Sequence, residues 1–429
     1  MTTTTDNHKL QYKFLFLLAS VYLAIDINVQ GFLSLMPFIR EEFQITRAQA
    51  GLYFTFYFMI ATVIAVFSGS IVDRIGSKKG TVFGTIAVGA LIIFHSLAPS
   101  FFIILILAFF TGLVFSLITP SLNKAVMEKV APKNRATSMG IMHMGGGVGG
   151  FLGASLLPVM AESFGWRTGI VISGFLAICI GLFISRFYRV KNNRQEQTTD
   201  AEYDSLSFKD SFKILLKSRE LLIVCVLGIA LGTSIGAVPS HYTMYITQDL
   251  NTSRTMAGFC LGILQIGGVV GRPGWGWISD KFLHGSRIRG LVLVGGSLTL
   301  ITLFYSIYLT RYNPSLFLIF LSSFILGIIA LGWMGLFFTT VAELVHARLT
   351  GIGTGFALIF TRFGAVISPP IFGYIADVHG SYSLSWLAMS LVVFIISLIF
   401  IFAGNNKRFT RRIKHIARAH DTISGKGVR

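Results

Sequence analysis

Twelve long apolar runs limit what this chain can become: residues 13–39, 48–72, 80–98, 101–130, 136–161, 167–187, 219–247, 254–279, 289–310, 314–345, 350–376 and 383–404. A helix needs about 20 mostly apolar residues to cross a hydrocarbon core about 30 Å thick. Barrel strands are ruled out, because their segments are about ten residues long and alternate in polarity. With no water to satisfy the backbone, runs of this length must close their own hydrogen bonds as helices. The expected fold class is an all-α membrane protein with twelve transmembrane helices. No A-x-A cleavage site precedes the first run, which reads as an uncleaved first span.

The charge pattern narrows the class further. Charged residues make up 13% of the chain, about half the share in soluble domains. The 53% hydrophobic content excludes a disordered chain. A net charge of +18 raises the question of nucleic acid, but the bases sit in short clusters between apolar runs, which is the pattern of membrane orientation. One side of the membrane receives Lys9, Lys13, Arg74, Lys78, Lys79, Lys129, Lys133, Arg135, the 186–219 cluster, Lys281, Arg287, Arg289, Arg348 and the tail. The other receives only Arg40, Arg47, Arg167, Arg254 and Arg311. Both termini are therefore expected in the cytoplasm, with the chain in a cell (inner or plasma) membrane. Cys179, Cys225 and Cys260 all lie inside apolar runs, so neither a disulfide framework nor a metal site is expected.

The long polar stretch 188–218 divides the spans six and six, giving an N-terminal half (1–187), a cytoplasmic linker (188–218), a C-terminal half (219–404) and a basic cytoplasmic tail (405–429). In the tail, Phe409, Ile413 and Ile416 fall at helical spacing, as in a helix lying on anionic lipid. An internal repeat supports the division. Gly69, Asp73, Arg74, Gly76, Lys78 and Lys79 follow the second run, and Gly276, Asp280, Lys281, Gly285 and Arg287 follow the eighth, about half the chain later. Arg135–Gly140 is echoed by Arg348–Gly353. Two pseudo-symmetric six-helix halves are the architecture of a rocking transporter with its site between them.

The pattern G-x-x-x-D-R-x-G-x-K-K over 69–79 resembles the loop signature of the major facilitator superfamily, and span count, linker position and repeats extend the resemblance over nearly the whole chain. The resemblance implies a cytoplasmic gate of Gly69, Asp73, Arg74, Gly76, Lys78, Arg135 and Asp280, with bases that pair with Glu128 or Glu343 when the cavity opens outward. Drug antiporters of this fold carry an arginine in span 4, where this chain has Ala108, and a Gly-Pro pair in span 5, where it has Gly149 and Gly150. Nitrate porters share the glycine-rich span 5 but pair two arginines, and the span 2 position here is Ala65. The segment 271–280 (GRPGWGWISD) resembles span 8 of monocarboxylate and oxalate–formate carriers, which implies that Arg272 contacts a substrate carboxylate. Spans 4–5 also look similar to organic-anion and cyanate-type porters.

Ionisable residues inside a span are costly and mark function. Asp26, Arg362 and, about 12 Å from Asp280 at 1.5 Å per residue, Arg272 are the mid-span charges; Lys124 is read at a comparable depth. Gln265 shares a helix face with Arg272. Two guanidiniums converging on one cavity suit a carboxylate. Alternatively, Arg272 joins Asp280 in the gate, and Arg362 pairs with carbonyls near Pro369 and Pro370 or with Asp26. Tyr22, Asp26, Gln30 and Ser34 form a polar stripe on span 1. Desolvation and nearby arginines pull the protonation of such a carboxylate in opposite senses, so Asp26 is a proton-coupling candidate, a structural partner of an arginine, or a sodium ligand. His143 and His241, Tyr53 and Tyr57, Ser116, Thr119 and Asn123, and Trp333 and Phe337 are further polar or aromatic candidates.

The expected substrate-binding set is Arg272, Arg362, Gln265, Tyr22, Gln30, Tyr57 and Asn123, with Asp26 and His143 for proton coupling. No nucleotide loop, metal motif or catalytic triad occurs, so no cofactor, metal or enzyme activity is expected. The function expected is a secondary transporter taking up a small organic anion by alternating access with proton symport. The alternative is a proton-coupled exporter of a metabolite or drug. Its partners are the anion, protons and the lipid bilayer, without nucleic acid, and the working unit is a monomer.

Overall fold

The computed structural model describes residues 4–131, 134–188, 208–312, 314–345 and 349–404. The basic tail, Arg348 of the second repeat echo and most of the linker lie outside them. Twelve helices are long and apolar enough to cross a membrane: Phe14–Ser34, Arg47–Ala65, Ser77–His95, Phe101–Lys129, Ser138–Phe164, Trp166–Phe187, Arg219–Gln248, Arg254–Lys281, Arg287–Leu309, Leu316–Leu344, Ile352–His379 and Ser383–Phe402, numbered here as spans 1 to 12. Strands are absent among the described residues.

Three runs are broken where a continuous helix is expected. The first ends at Ser34, and a separate helix, Met36–Phe43, begins with Pro37 in its first turn, where a missing N–H is harmless. Span 4 divides into Phe101–Phe115 and Ile118–Lys129; the ring of Pro120 clashes with a continuing helix at the position of Ser116. Span 10 divides at the same place in the repeat, into Leu316–Gly332 and Met334–Leu344. The linker range also contains a helix, Phe208–Lys217, whose Leu215 is buried and whose Phe212 ring lies 5.1 Å from that of Phe356 on span 11.

The two halves repeat one packing scheme. Gly145, Gly149 and Gly153 of span 5 lie so close to the carbonyls of Ala19, Leu23 and Ile27 on span 1 that no side chain fits between the helices. In the second half Gly232 and Gly236 of span 7 abut the carbonyls of Thr361 and Ala365 on span 11 in the same way. Small residues thus supply the close packing that the hydrophobic effect cannot supply in lipid. Spans 3, 6, 9 and 12 show exposed Phe83, Phe175, Leu300 and Phe402, as expected for a lipid-facing periphery.

At the end away from the termini, each half tethers its own loops. Glu42 accepts from Trp166 Nε1 (2.5 Å) and from Arg167 (2.5 and 2.7 Å), and Arg167 also donates to the Ser96 carbonyl (2.9 Å). Partial desolvation opposes ionisation of Glu42, but the Arg167 and Trp166 bonds hold its carboxyl below the usual glutamate range. A depressed folded value stabilises the fold above the unfolded value near 4.3, and that contribution fades as pH falls through the folded value. Glu42→Gln is expected to cost at most about 1 kcal/mol at neutral pH, since the pair is half exposed. The gap to the parent should close as pH falls through the folded value; thermal unfolding of both across an acid titration from neutral pH checks it.

The halves are bolted together at that same end. Asp377, at the end of span 11, accepts from the first two backbone amides of span 2, Arg47 and Ala48, at 2.9 Å each. Arg47 in turn donates to the Ala376 carbonyl (2.7 Å) and Gln248 (2.9 Å). The counterpart half mirrors this: Glu162, at the end of span 5, accepts from the Thr255 amide at the start of span 8 (3.2 Å), and Arg254 pairs with Glu41. Each carboxylate sits on the positive end of a helix dipole belonging to the other half. These groups border an open depression of about 930 Å³ between the halves. Among the described residues, the hydrogen bonds and ion pairs joining the halves lie between this end and the level of Thr55, whose hydroxyl donates to the Val366 carbonyl at 2.6 Å. The double variant Asp377→Ala, Glu162→Ala should shift the population toward separation here by about 5- to 30-fold, or about 1–2 kcal/mol. Spin labels at the exposed Gln44 and His379 would report longer distances; an unchanged distribution would refute the latch.

Candidate functional site

Span 1 carries the core of the site. Tyr22, Asp26 and Gln30 are four residues apart and share a face. Ser34 leaves the stripe: it is buried and bonds back to the Gly31 carbonyl at 2.7 Å. Asp26 lies against Gly146 of span 5, where an added Cβ would collide with its Oδ2, so the missing side chain makes room for the carboxylate. Among the described residues, the Asp26 carboxylate accepts no hydrogen bond and has no ion-pair partner. The opposite charge acting on it is that of Arg272 on span 8, which also acts on Tyr22 and His143. Tyr22 donates to Thr119 Oγ1 (3.1 Å) and lies against the His143 ring at 4.7 Å.

Gln30 and Gln265 come from opposite halves and meet across Gly150, where a Cβ would lie 3.3 Å from the Cγ of each. Arg362 of span 11 reaches the first half, with its guanidinium carbon 5.2 Å from the Phe58 ring centre, and its charge acts on Tyr57, which also feels Asp26. Asn123 stands one turn beyond Thr119 on span 4. Gln30 Oε1, Tyr57 OH, Asn123 Oδ1 and Gln265 Nε2 are buried without a hydrogen-bond partner among the described residues. The fold therefore brings Tyr22, Asp26, Gln30, Tyr57, His143, Gln265, Arg272 and Arg362 to the region between the halves. Charges left unpaired at such depth are costly unless something else meets them.

Other candidates have structural duties. His241 is buried between the Pro369 carbonyl (2.8 Å) and the Tyr382 hydroxyl (3.2 Å). Tyr53 stacks on Phe32 at 4.2 Å, and Trp333 bonds to the Ala330 carbonyl at 2.9 Å.

The gate residues gather at the terminus-bearing end, with partners other than those expected. Asp73 pairs with Lys124 at 2.7 Å, so Lys124 belongs to this end and is no deep charge. Arg74 and Lys78 form no ion pair among the described residues. Glu128 accepts from Ser77 at 2.6 Å, and Arg135 donates to the carbonyls of Met127 (2.9 Å) and Val130 (3.1 Å), closing the end of span 4. Gly76 turns the chain between spans 2 and 3 at φ 87°, a conformation that favours glycine. Gly69 has open space around it. Asp280 and Glu343 both bind Arg287, the latter at 3.1 Å, which leaves Arg272 outside the gate cluster. These pairs stay within one half.

Sequence reasoning treated Arg47 and Arg254 as orientation charges and passed over Glu162 and Asp377. A partial signal existed for Arg47, since Thr46 and Gln49 form a capping box that marks it as the first residue of a helix.

The family model described as Major Facilitator Superfamily matches residues 18–369 and 242–423. The probable sulfoacetate transporter SauU of Cupriavidus necator is 22% identical, covering 82% of this chain and 84% of its own. The hexuronate transporter of Bacillus subtilis is 24% identical, covering 83% and 86%. Among solved structures, a bacterial homologue of the human lysosomal transporter Spinster superposes with a TM-score of 0.75 at 16% identity, covering 91% of this chain and 96% of that one, a likeness of fold.

Proposed function

The chain belongs to the major facilitator superfamily and is a multi-pass membrane transporter, not an enzyme; from that premise we propose that it takes up a small carboxylate-like anion by alternating access, together with a proton. The observation that carries this reading is the pair of guanidiniums, Arg272 and Arg362, which have no ion-pair partner among the described residues and whose charges act on Asp26 and Tyr57 of the other half. Arginine offers the planar donor set that a carboxylate accepts in two bonds. Gln265, Gln30, Tyr22, Tyr57 and Asn123 complete the lining. Asp26 carries the proton, assisted by His143, because a carboxylate between Arg272 and an arriving anion can change protonation as access alternates. Relatives named for sulfoacetate and hexuronate transport carry organic anions of this type.

The clustered bases support a cytoplasmic terminus-bearing end, with the chain in a cell inner membrane. The halves 1–187 and 219–404 rock as units on the linker 188–218, and the monomer suffices. With the far end latched, the arrangement is the one that releases solute inward. The test is transport into proteoliposomes. A labelled carboxylate should accumulate on an inward proton gradient and stop when the gradient is dissipated. Accumulation indifferent to the gradient, or confined to neutral solutes, overturns the proposal.

A further inference from the structure

Resting on the anion-transport reading, we propose that the carried anion is hydroxylated, a short hydroxy or polyhydroxy acid rather than an unsubstituted carboxylate. The warrant is the donor and acceptor balance of the buried atoms left without partners. Gln30 Oε1 and Asn123 Oδ1 are acceptors, Gln265 Nε2 is a donor, and the Tyr57 hydroxyl can be either. An ionised carboxylate or sulfonate has acceptors only. It satisfies Arg272, Arg362, the Gln265 amide and the Tyr57 proton, but it sets lone pairs against lone pairs at Gln30.

A hydroxyl both donates and accepts. Placed beside Gly150, where Gln30 and Gln265 face each other, one hydroxyl donates to Gln30 Oε1 and accepts from Gln265 Nε2. An ammonium group would also donate, but it would enter a site holding Arg272 and Arg362 against the carboxylate of Asp26, and a protonated Asp26 would leave the solute's own carboxylate alone against three cations. Hydroxyls are donors without that penalty. The bridging position also gives the solute a mechanical role. One hydroxyl bonded to both halves links them through the substrate, so a deoxy analogue fails to hold them together.

The test compares three acids of one size in counterflow with proteoliposomes: lactate, propionate and alanine, with glycerate and gluconate to extend the hydroxyl count and glucose as the neutral control. Leaving buried polar atoms unmet penalises the analogue lacking the hydroxyl by about 10- to 100-fold. Lactate and glycerate should therefore outcompete propionate by that factor, and alanine should compete no better than propionate. Gln30→Leu and Gln265→Leu should each bring lactate and propionate to within about threefold. Equal competition by propionate and the hydroxy acids in the parent overturns the hydroxyl inference and leaves anion transport standing. Competition by glucose, with none by any acid, overturns the anion reading itself. A preference for lactate that survives both leucine variants removes Gln30 and Gln265 from the role.

Discussion

Asp26→Asn is expected to keep anion exchange and to lose accumulation on a pH gradient. One pH unit is worth 1.36 kcal/mol, so electroneutral symport of one proton with a monovalent anion sustains about tenfold accumulation per unit of gradient. The asparagine variant should fall to an accumulation ratio of about one. The substitution is nearly isosteric, so the close seat against Gly146 is preserved and the fold is not at risk. What disappears is a group able to be charged on one side and neutral on the other. No other acid of the described residues stands beside Arg272 in the same way, because Asp73, Glu128, Asp280 and Glu343 are engaged at the terminus-bearing end. Counterflow and gradient-driven uptake measured on the same vesicles separate the two activities. Full accumulation in the asparagine variant assigns coupling elsewhere.

What was legible in the sequence follows the range of each interaction. Hydrophobic length alone locates spans, since insertion into lipid depends on local composition. The repeat at Asp73 and Asp280 exposed the two halves, and the mid-span rarity of Asp26, Arg272 and Arg362 singled out side chains that the fold brings to one region. Pairings between distant spans were not legible. Lys124 seemed deep because the run 101–130 reads as one helix, yet the break before Pro120 and the swing of the second segment bring it to Asp73. The latch escaped because Asp377 and Glu162 act on backbone amides, and a backbone donor leaves no residue-type signature. Gln30 was visible as part of a stripe and Gln265 as a neighbour of Arg272, but their meeting depends on Gly150 and the approach of spans 1, 5 and 8.

Arg272→Ala and Arg362→Ala should each weaken anion binding by about 10- to 100-fold, the equivalent of about 1.5–3 kcal/mol for hydrogen bonds to a charged group. Arg272→Lys should lose less than alanine, because the charge remains while the planar fork is lost. The two positions also predict how their effects combine. If both guanidiniums grip one carboxylate, removing the first already loosens the grip of the second, and the double variant loses less than the two single losses multiplied together. If they hold opposite ends of a longer solute, the losses multiply in full. Arg272 carries a second consequence that Arg362 does not share, since its charge acts on Asp26, Tyr22 and His143. Its removal should therefore also move the pH at which transport is half-maximal, whereas Arg362→Ala should change affinity with little change in that profile. Titrating a labelled carboxylate against each variant over a range of pH tests both statements. Unchanged affinity in both alanine variants would remove the pair from the binding site.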